Sequence, residues 1–279
     1  MKRFFAGIVL IPIVVALVLY TSLFWLTLVI TLITLLALNE YNAICGKLKG
    51  EQTQEIYNFK TKRDLFVLVF GGGLPLLFLY LSGVATLPFL TFFLALLFLL
   101  GLFTSKNTEA IFEVIKNAIF GIVLIALPLS HLVLIGGEEK GRLWILLVLV
   151  VVWSADTTAY CVGRIIGRSK LCPSVSPGKT IEGAIGGIIG AVLAVLIFDY
   201  FTFLGLGSVF AVALGFVLAL LSIIGDLIES VLKRSAGVKD SGTLIPGHGG
   251  VLDRIDSLFF VVPATYFFMT FVLVLRQAN

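Results

Sequence analysis

The chain has 279 residues, of which 59% are hydrophobic and only 13% charged, with a formal net charge of +4. Water-soluble domains carry about half apolar and about a quarter charged residues, so this balance excludes a soluble globular protein and puts much of the surface in lipid. The small positive charge matches basic anchoring at a bilayer with anionic headgroups and calls for no nucleic-acid partner.

A hydrocarbon layer of about 30 Å takes roughly 20 consecutive apolar residues per helix. Runs of this kind lie, in chain order, at 4–19, 23–43, 65–81, 86–103, 118–135, 143–162, 181–200, 208–228 and 258–275. Unbroken apolar runs argue against a barrel, whose strands alternate over about ten residues, because backbone groups in lipid must close their hydrogen bonds within a helix. The expected fold is therefore all-α, a polytopic helical bundle with about nine transmembrane helices. Residues 1–135 are expected to supply five N-terminal membrane helices. Residues 136–279 would supply four catalytic ones, with loops 163–180 and 229–257. Lys2 and Arg3 precede the first run, but no small-residue cleavage site follows it, and it is read as a membrane helix.

Nine spans with the N-terminus in the cytoplasm place seventeen of the 20 Lys and Arg residues on the cytoplasmic side. Only Lys140, Arg142 and Arg276 fall outside, as expected where basic loops stay in. The C-terminus is then outside, and the expected location is the cytoplasmic (inner) membrane.

Three smaller features have ordinary explanations. Cys45, Cys161 and Cys172 show no metal-ligand spacing and read as packing residues. His131 stands alone near the outer end of the fifth run, where hydrogen bonding explains it. Gly183, Gly186, Gly187 and Gly190 form overlapping small-xxx-small pairs that let a helix approach closely, from this chain or from a second copy in a homodimer.

From Asp156 onward, acids appear inside or at the ends of apolar runs. An ionisable group there is costly unless paired or bound to a cation, so Asp156 and Asp226 are functional candidates. In the eighth run, Asp226, Glu229, Ser230 and Lys233 follow i, i+3, i+4, i+7 spacing and share a helical face. The next loop holds Lys239, Asp240, Pro246, His248, Gly249 and Gly250, and Asp253, Arg254 and Asp256 stand at the start of the last run. If that start is helical, Asp253 and Asp256 share a face suited to a hard cation.

The spaced series Ser230, Lys233, Arg234, Lys239, Asp240, Pro246, His248, Gly249, Gly250, Asp253, Arg254, Asp256 resembles the signature of the phosphatidate cytidylyltransferases, or CDP-diacylglycerol synthases. Asp156, Thr157, Ala159, Tyr160, Gly163, Arg164 and Gly167, followed by Ser176, Pro177, Lys179, Thr180, Glu182 and Gly183, resembles the same family. The chain departs from it at Ile181, where an aromatic residue is usual.

The resemblance implies transfer of CMP from CTP to phosphatidic acid in the bilayer, giving CDP-diacylglycerol and pyrophosphate, and the charge asymmetry puts the expected site on the cytoplasmic side. Hard carboxylates suit Mg²⁺, so Asp226 and Asp256 are its leading expected ligands, then Asp253 and Asp156, with room for a second cation. Asp226, Asp256, Lys239, Arg254 and His248 form the expected catalytic set. Lys233, Arg234, Ser230, Asp240, Gly249, Gly250, Ser176, Lys179 and Glu182 are expected to bind substrate. Two alternatives are a CTP-dependent lipid kinase of the polyprenol type and an ion-coupled transporter. The transporter would need a midplane site between repeated halves.

Overall fold

A computed structural model describes residues 2–47, 54–81, 86–104, 108–244 and 249–277. Pro246 and His248 lie outside the described residues, as do Lys49 and Lys106. The described chain is helical almost throughout, and its helices are α1 (Lys2–Tyr20), α2 (Leu23–Cys45), α3 (Gln54–Leu81), α4 (Thr86–Thr104), α5 (Thr108–Gly121), α6 (Leu127–Gly137), α7 (Gly141–Ile166), α8 (Ile181–Thr202), α9 (Ser208–Ser235), α10 (Leu252–Ile255) and α11 (Leu258–Gln277). Every expected apolar run falls on a helix. Among the described residues, seven helices are long and apolar enough to cross a membrane, and Ile11–Tyr20 and Pro88–Leu100 are shorter apolar stretches. The protein is an all-α, multi-pass membrane protein.

The chain divides into two compact units. The first comprises Met1–Ile8, Thr21–Leu134 and Leu232–Arg254. Within it α2 lies along α3, where Gly71 and Gly72 leave room for Leu38 and Leu35. A π-helical turn, Ile122–Ala126, joins α5 to α6. Next to it the Tyr41 ring fills the space a side chain at Gly121 would need, and the Tyr41 hydroxyl donates to the Asn117 carbonyl at 2.8 Å. The buried hydroxyls of Thr34 and Ser130 turn back to carbonyls four residues earlier, at 2.8 and 2.7 Å, which satisfies them within their own helices.

The second unit comprises Val9–Tyr20, Ile135–Val231 and Ile255–Asn279. Its main contact is α7 against α8, and the glycine stripe makes it. A side chain at Gly186 would meet Val162, one at Gly187 would meet Ala155 and Ala159, and one at Gly190 would meet Thr158. The stripe is thus covered by α7 of the same chain, which removes the reason for a homodimer through it. The opposite face of α8 exposes Ile185, Ile189, Leu193 and Ile197, a lipid-facing row at four-residue intervals.

Two features differ from expectation. Between α7 and α8 the chain forms a hairpin of β1 (Lys170–Cys172) and β2 (Ser176–Thr180), antiparallel with Cys172 opposite Ser176. Strands of three and five residues are too short to show alternation, and Pro and Gly make the segment read as a loop. The common helical face expected for Asp253 and Asp256 does not form, because α10 stops at Ile255 and the helix resumes only at Leu258.

Candidate active site

The second unit contains a cavity of about 360 Å³, lined by Asp156, Tyr160 and Arg164 of α7, Lys179 and Thr180 of β2, and Ser222 and Asp226 of α9. Local geometry places each group. Thr180 caps α8 by accepting from the Gly183 N–H at 3.1 Å, so β2 runs directly into the helix and holds Lys179 at the rim. Lys179 Nζ lies 2.5 Å from Asp226 Oδ2, with side chains 26% and 32% exposed. Ser230 donates to Asp226 Oδ1 at 3.4 Å. Arg164 donates to the Tyr160 hydroxyl at 3.0 Å and leans over its ring.

Asp256 approaches through its main chain. Gly225 precedes Asp226, and the space its side chain would need is filled by the Asp256 carbonyl and by Ser257 Cα. The backbone at Asp256 therefore lies against α9 one residue before Asp226. One oxygen of the Asp256 carboxylate accepts the Ser257 N–H at 2.7 Å.

Other expected residues stand elsewhere. Glu182 accepts from the backbone N–H groups of Arg168 and Ser169, each at 3.1 Å, and pins the base of the hairpin. Neither Glu182 nor Ser176 lines the cavity.

In the first unit the signature loop is organised around Asp253. Its Oδ1 takes Lys233 Nζ at 2.7 Å, the two side chains being 9% and 13% exposed. Its Oδ2 accepts the N–H groups of Ser241 at 3.0 Å and Gly250 at 2.8 Å. Gly249 has φ +80°, a conformation that disfavours other residues, and any side chain there would press on this carboxylate. Arg234 donates to the Val238 carbonyl at 3.2 Å, while Lys239, Asp240 and Arg254 are exposed.

Glu40 belongs to neither motif. This acid of α2 is buried and accepts the N–H groups of Val251 and Leu252, each at 2.9 Å. The signal was present, since Glu40 interrupts an apolar run as Asp156 and Asp226 do. Arg164 and Tyr160 were legible as motif residues but were given no role.

Among the described residues no group of three or more His, Cys, Asp and Glu side chains gathers as a ready metal cage. Mg²⁺ commonly uses only one or two carboxylates and fills its remaining positions with water and substrate phosphate. Asp156 and Asp226 on one cavity fit that requirement. Asp253, with one oxygen engaged by Lys233 of α9 and the other by Ser241 and Gly250 of its own loop, fits it less well.

The sequence profile of the Cytidylyltransferase family matches residues 1–272. The chain is also similar to a phosphatidate cytidylyltransferase of Haemophilus influenzae, 49% identical over 137 residues, covering 48% of each chain. A phosphatidate cytidylyltransferase of Bacillus subtilis is 43% identical over 132 residues, 47% of this chain and 49% of that one. One of Staphylococcus epidermidis is 45% identical over 126 residues, 45% of this chain and 48% of that one. The matched region thus spans about half the length of these curated relatives. With the profile covering nearly the whole of a chain whose acids and cations meet in one cavity, this protein belongs to the cytidylyltransferase family.

Proposed function

We propose that this protein transfers CMP from CTP to phosphatidic acid, releasing pyrophosphate and forming CDP-diacylglycerol for phospholipid synthesis. The reaction would take place at the cytoplasmic face of a bacterial cytoplasmic membrane. The observation that carries this reading is a cavity on which Asp156, Asp226, Lys179 and Arg164 meet, in a chain of this family.

Two anionic reactants must approach while charge moves onto a departing pyrophosphate, so positioning and neutralisation dominate the chemistry. A phosphate monoester has its second pKa near 6, so the lipid headgroup is largely deprotonated near neutral pH and needs no strong base. His248 is accordingly read as a binding residue. Arg164 offers a planar fork to phosphate oxygens, and Lys179, oriented by Asp226, offers a mobile point charge. On the motif's resemblance, Lys233, Arg234, Lys239 and Arg254 are assigned to the nucleotide phosphates. Asp226, Asp256 and Asp156 would hold Mg²⁺, and a second cation with it, while Asp253 keeps the signature loop in shape. When bound, Mg²⁺ supplies positive charge to phosphate oxygens.

Purified protein in detergent, given α-labelled CTP, phosphatidic acid and Mg²⁺, is expected to move label into lipid and release pyrophosphate. Chelation and Asp256→Asn should each stop the reaction. Release of labelled CDP with unlabelled lipid would replace this reading by γ-phosphoryl transfer.

A further inference from the structure

Glu40 lies in the apolar run of α2, yet its carboxylate meets three donors that stand 201 to 212 positions further along the chain. Ser241 Oγ donates to Oε2 at 2.9 Å, the Val251 N–H to Oε1 at 2.9 Å and the Leu252 N–H to Oε2 at 2.9 Å. The Ser241 hydroxyl also lies 3.0 Å from Asp253 Oδ2, so one proton serves two carboxylates. Asp253 in turn holds Lys233. The chain Glu40, Ser241, Asp253, Lys233 therefore ties α2 to both arms of the signature loop, all within the first unit.

The glycines of the loop fit this clasp. A side chain at Gly242 would come within 2.6 Å of Glu40 Oε1, and one at Gly250 would collide with Ser241 Oγ and Glu40 Oε2. Apolar packing could anchor a loop without the cost of burying a carboxylate. What a carboxylate adds is direction, because two main-chain N–H groups aimed at fixed oxygens leave the backbone little freedom.

We propose that Glu40 is a positioning residue for the signature loop. It fixes the main chain at Ser241 and at Val251 and Leu252, so that Lys239 and Arg254 are presented to the nucleotide phosphates in one geometry. This rests on the reading of the protein as a CTP-using transferase. It gives α2, from the half of the chain without a motif of its own, a part in the reaction.

Glu40→Gln keeps the size of the side chain, but its amide nitrogen cannot accept, so at least one donor loses its partner. We expect kcat/KM for CTP to fall about tenfold or more, while KM for phosphatidic acid stays within about twofold. A role in folding alone would lower kcat in step with the folded fraction and leave both KM values unchanged, and that result would overturn the proposal. Hydrogen exchange of the 249–254 peptide in detergent needs no substrate. The Val251 and Leu252 amides should exchange about tenfold faster in Glu40→Gln, but not in Glu113→Gln, which alters an exposed acid of the same unit. Unchanged exchange in Glu40→Gln also overturns the proposal. A wild-type protein that makes no CDP-diacylglycerol, combined with the exchange difference, would sink the functional reading and leave the clasp standing. Should Glu40→Gln fail to fold, Ser241→Ala removes one donor and is measured in the same way. Wild-type kinetics and exchange in that variant overturn the proposal.

Discussion

Lys179 and Asp226 show how exposure decides what a contact does. Their side chains are 26% and 32% exposed, so the ion pair contributes at most about 1 kcal/mol to stability. Facing a cavity that would hold phosphates, the same ammonium has far more to do in a reaction that accumulates negative charge. Lys179→Met is therefore expected to lower kcat roughly 100- to 1000-fold while barely moving the thermal midpoint. Steady-state assays beside a melting curve check this, and a large fall in the midpoint with normal turnover of the folded fraction would contradict it. Asp226 and Lys179 could be picked from the sequence, since an acid in an apolar helix and a cation in a motif are both conspicuous. Glu40 obeys the same rule but was passed over, because its partners are more than 200 positions away and nothing local announces them.

The elements are arranged by close approach of backbones, which makes particular glycines decisive. A methyl group at Gly225 in α9 would meet the backbone of Asp256 and Ser257, and main-chain atoms cannot swing aside as a side chain can. Gly225→Ala should therefore displace the start of α11 and abolish turnover. At Gly73 in α3 a methyl group meets nothing within 4 Å. Gly73→Ala should keep full activity and gain up to about 1 kcal/mol from helix propensity, measured by unfolding in mixed detergent. Sequence spacing marked the stripe Gly183, Gly186, Gly187, Gly190 as a packing face, but only the fold assigns that face to α7 of the same chain. The hairpin β1–β2, set between the end of α7 and the start of α8, was hidden because strands of three and five residues carry no readable alternation.

For the whole molecule, charge asymmetry gives an orientation that can be tested. In a background with Cys45, Cys161 and Cys172 replaced by Ala, Lys239→Cys should react with a membrane-impermeant maleimide in inverted vesicles only. Lys140→Cys should react in right-side-out vesicles only. Labelling of both from one side would break the alternation on which the proposed cytoplasmic site depends. The sequence alone determined that the chain is a helical membrane protein, where its helices run, and which acids and cations stand in the motifs. Hydrophobic run length and motif spacing are local properties, and the bilayer leaves the backbone little alternative to helix. Only the tertiary structure decided that Asp156, Arg164, Lys179 and Asp226 share a cavity, that Asp253 is engaged by Lys233 and by the signature loop, and that Glu40 clasps that loop. Each of these rests on contacts between segments distant in sequence, and such contacts are fixed by how helices pack, not by the order of residues along any one of them.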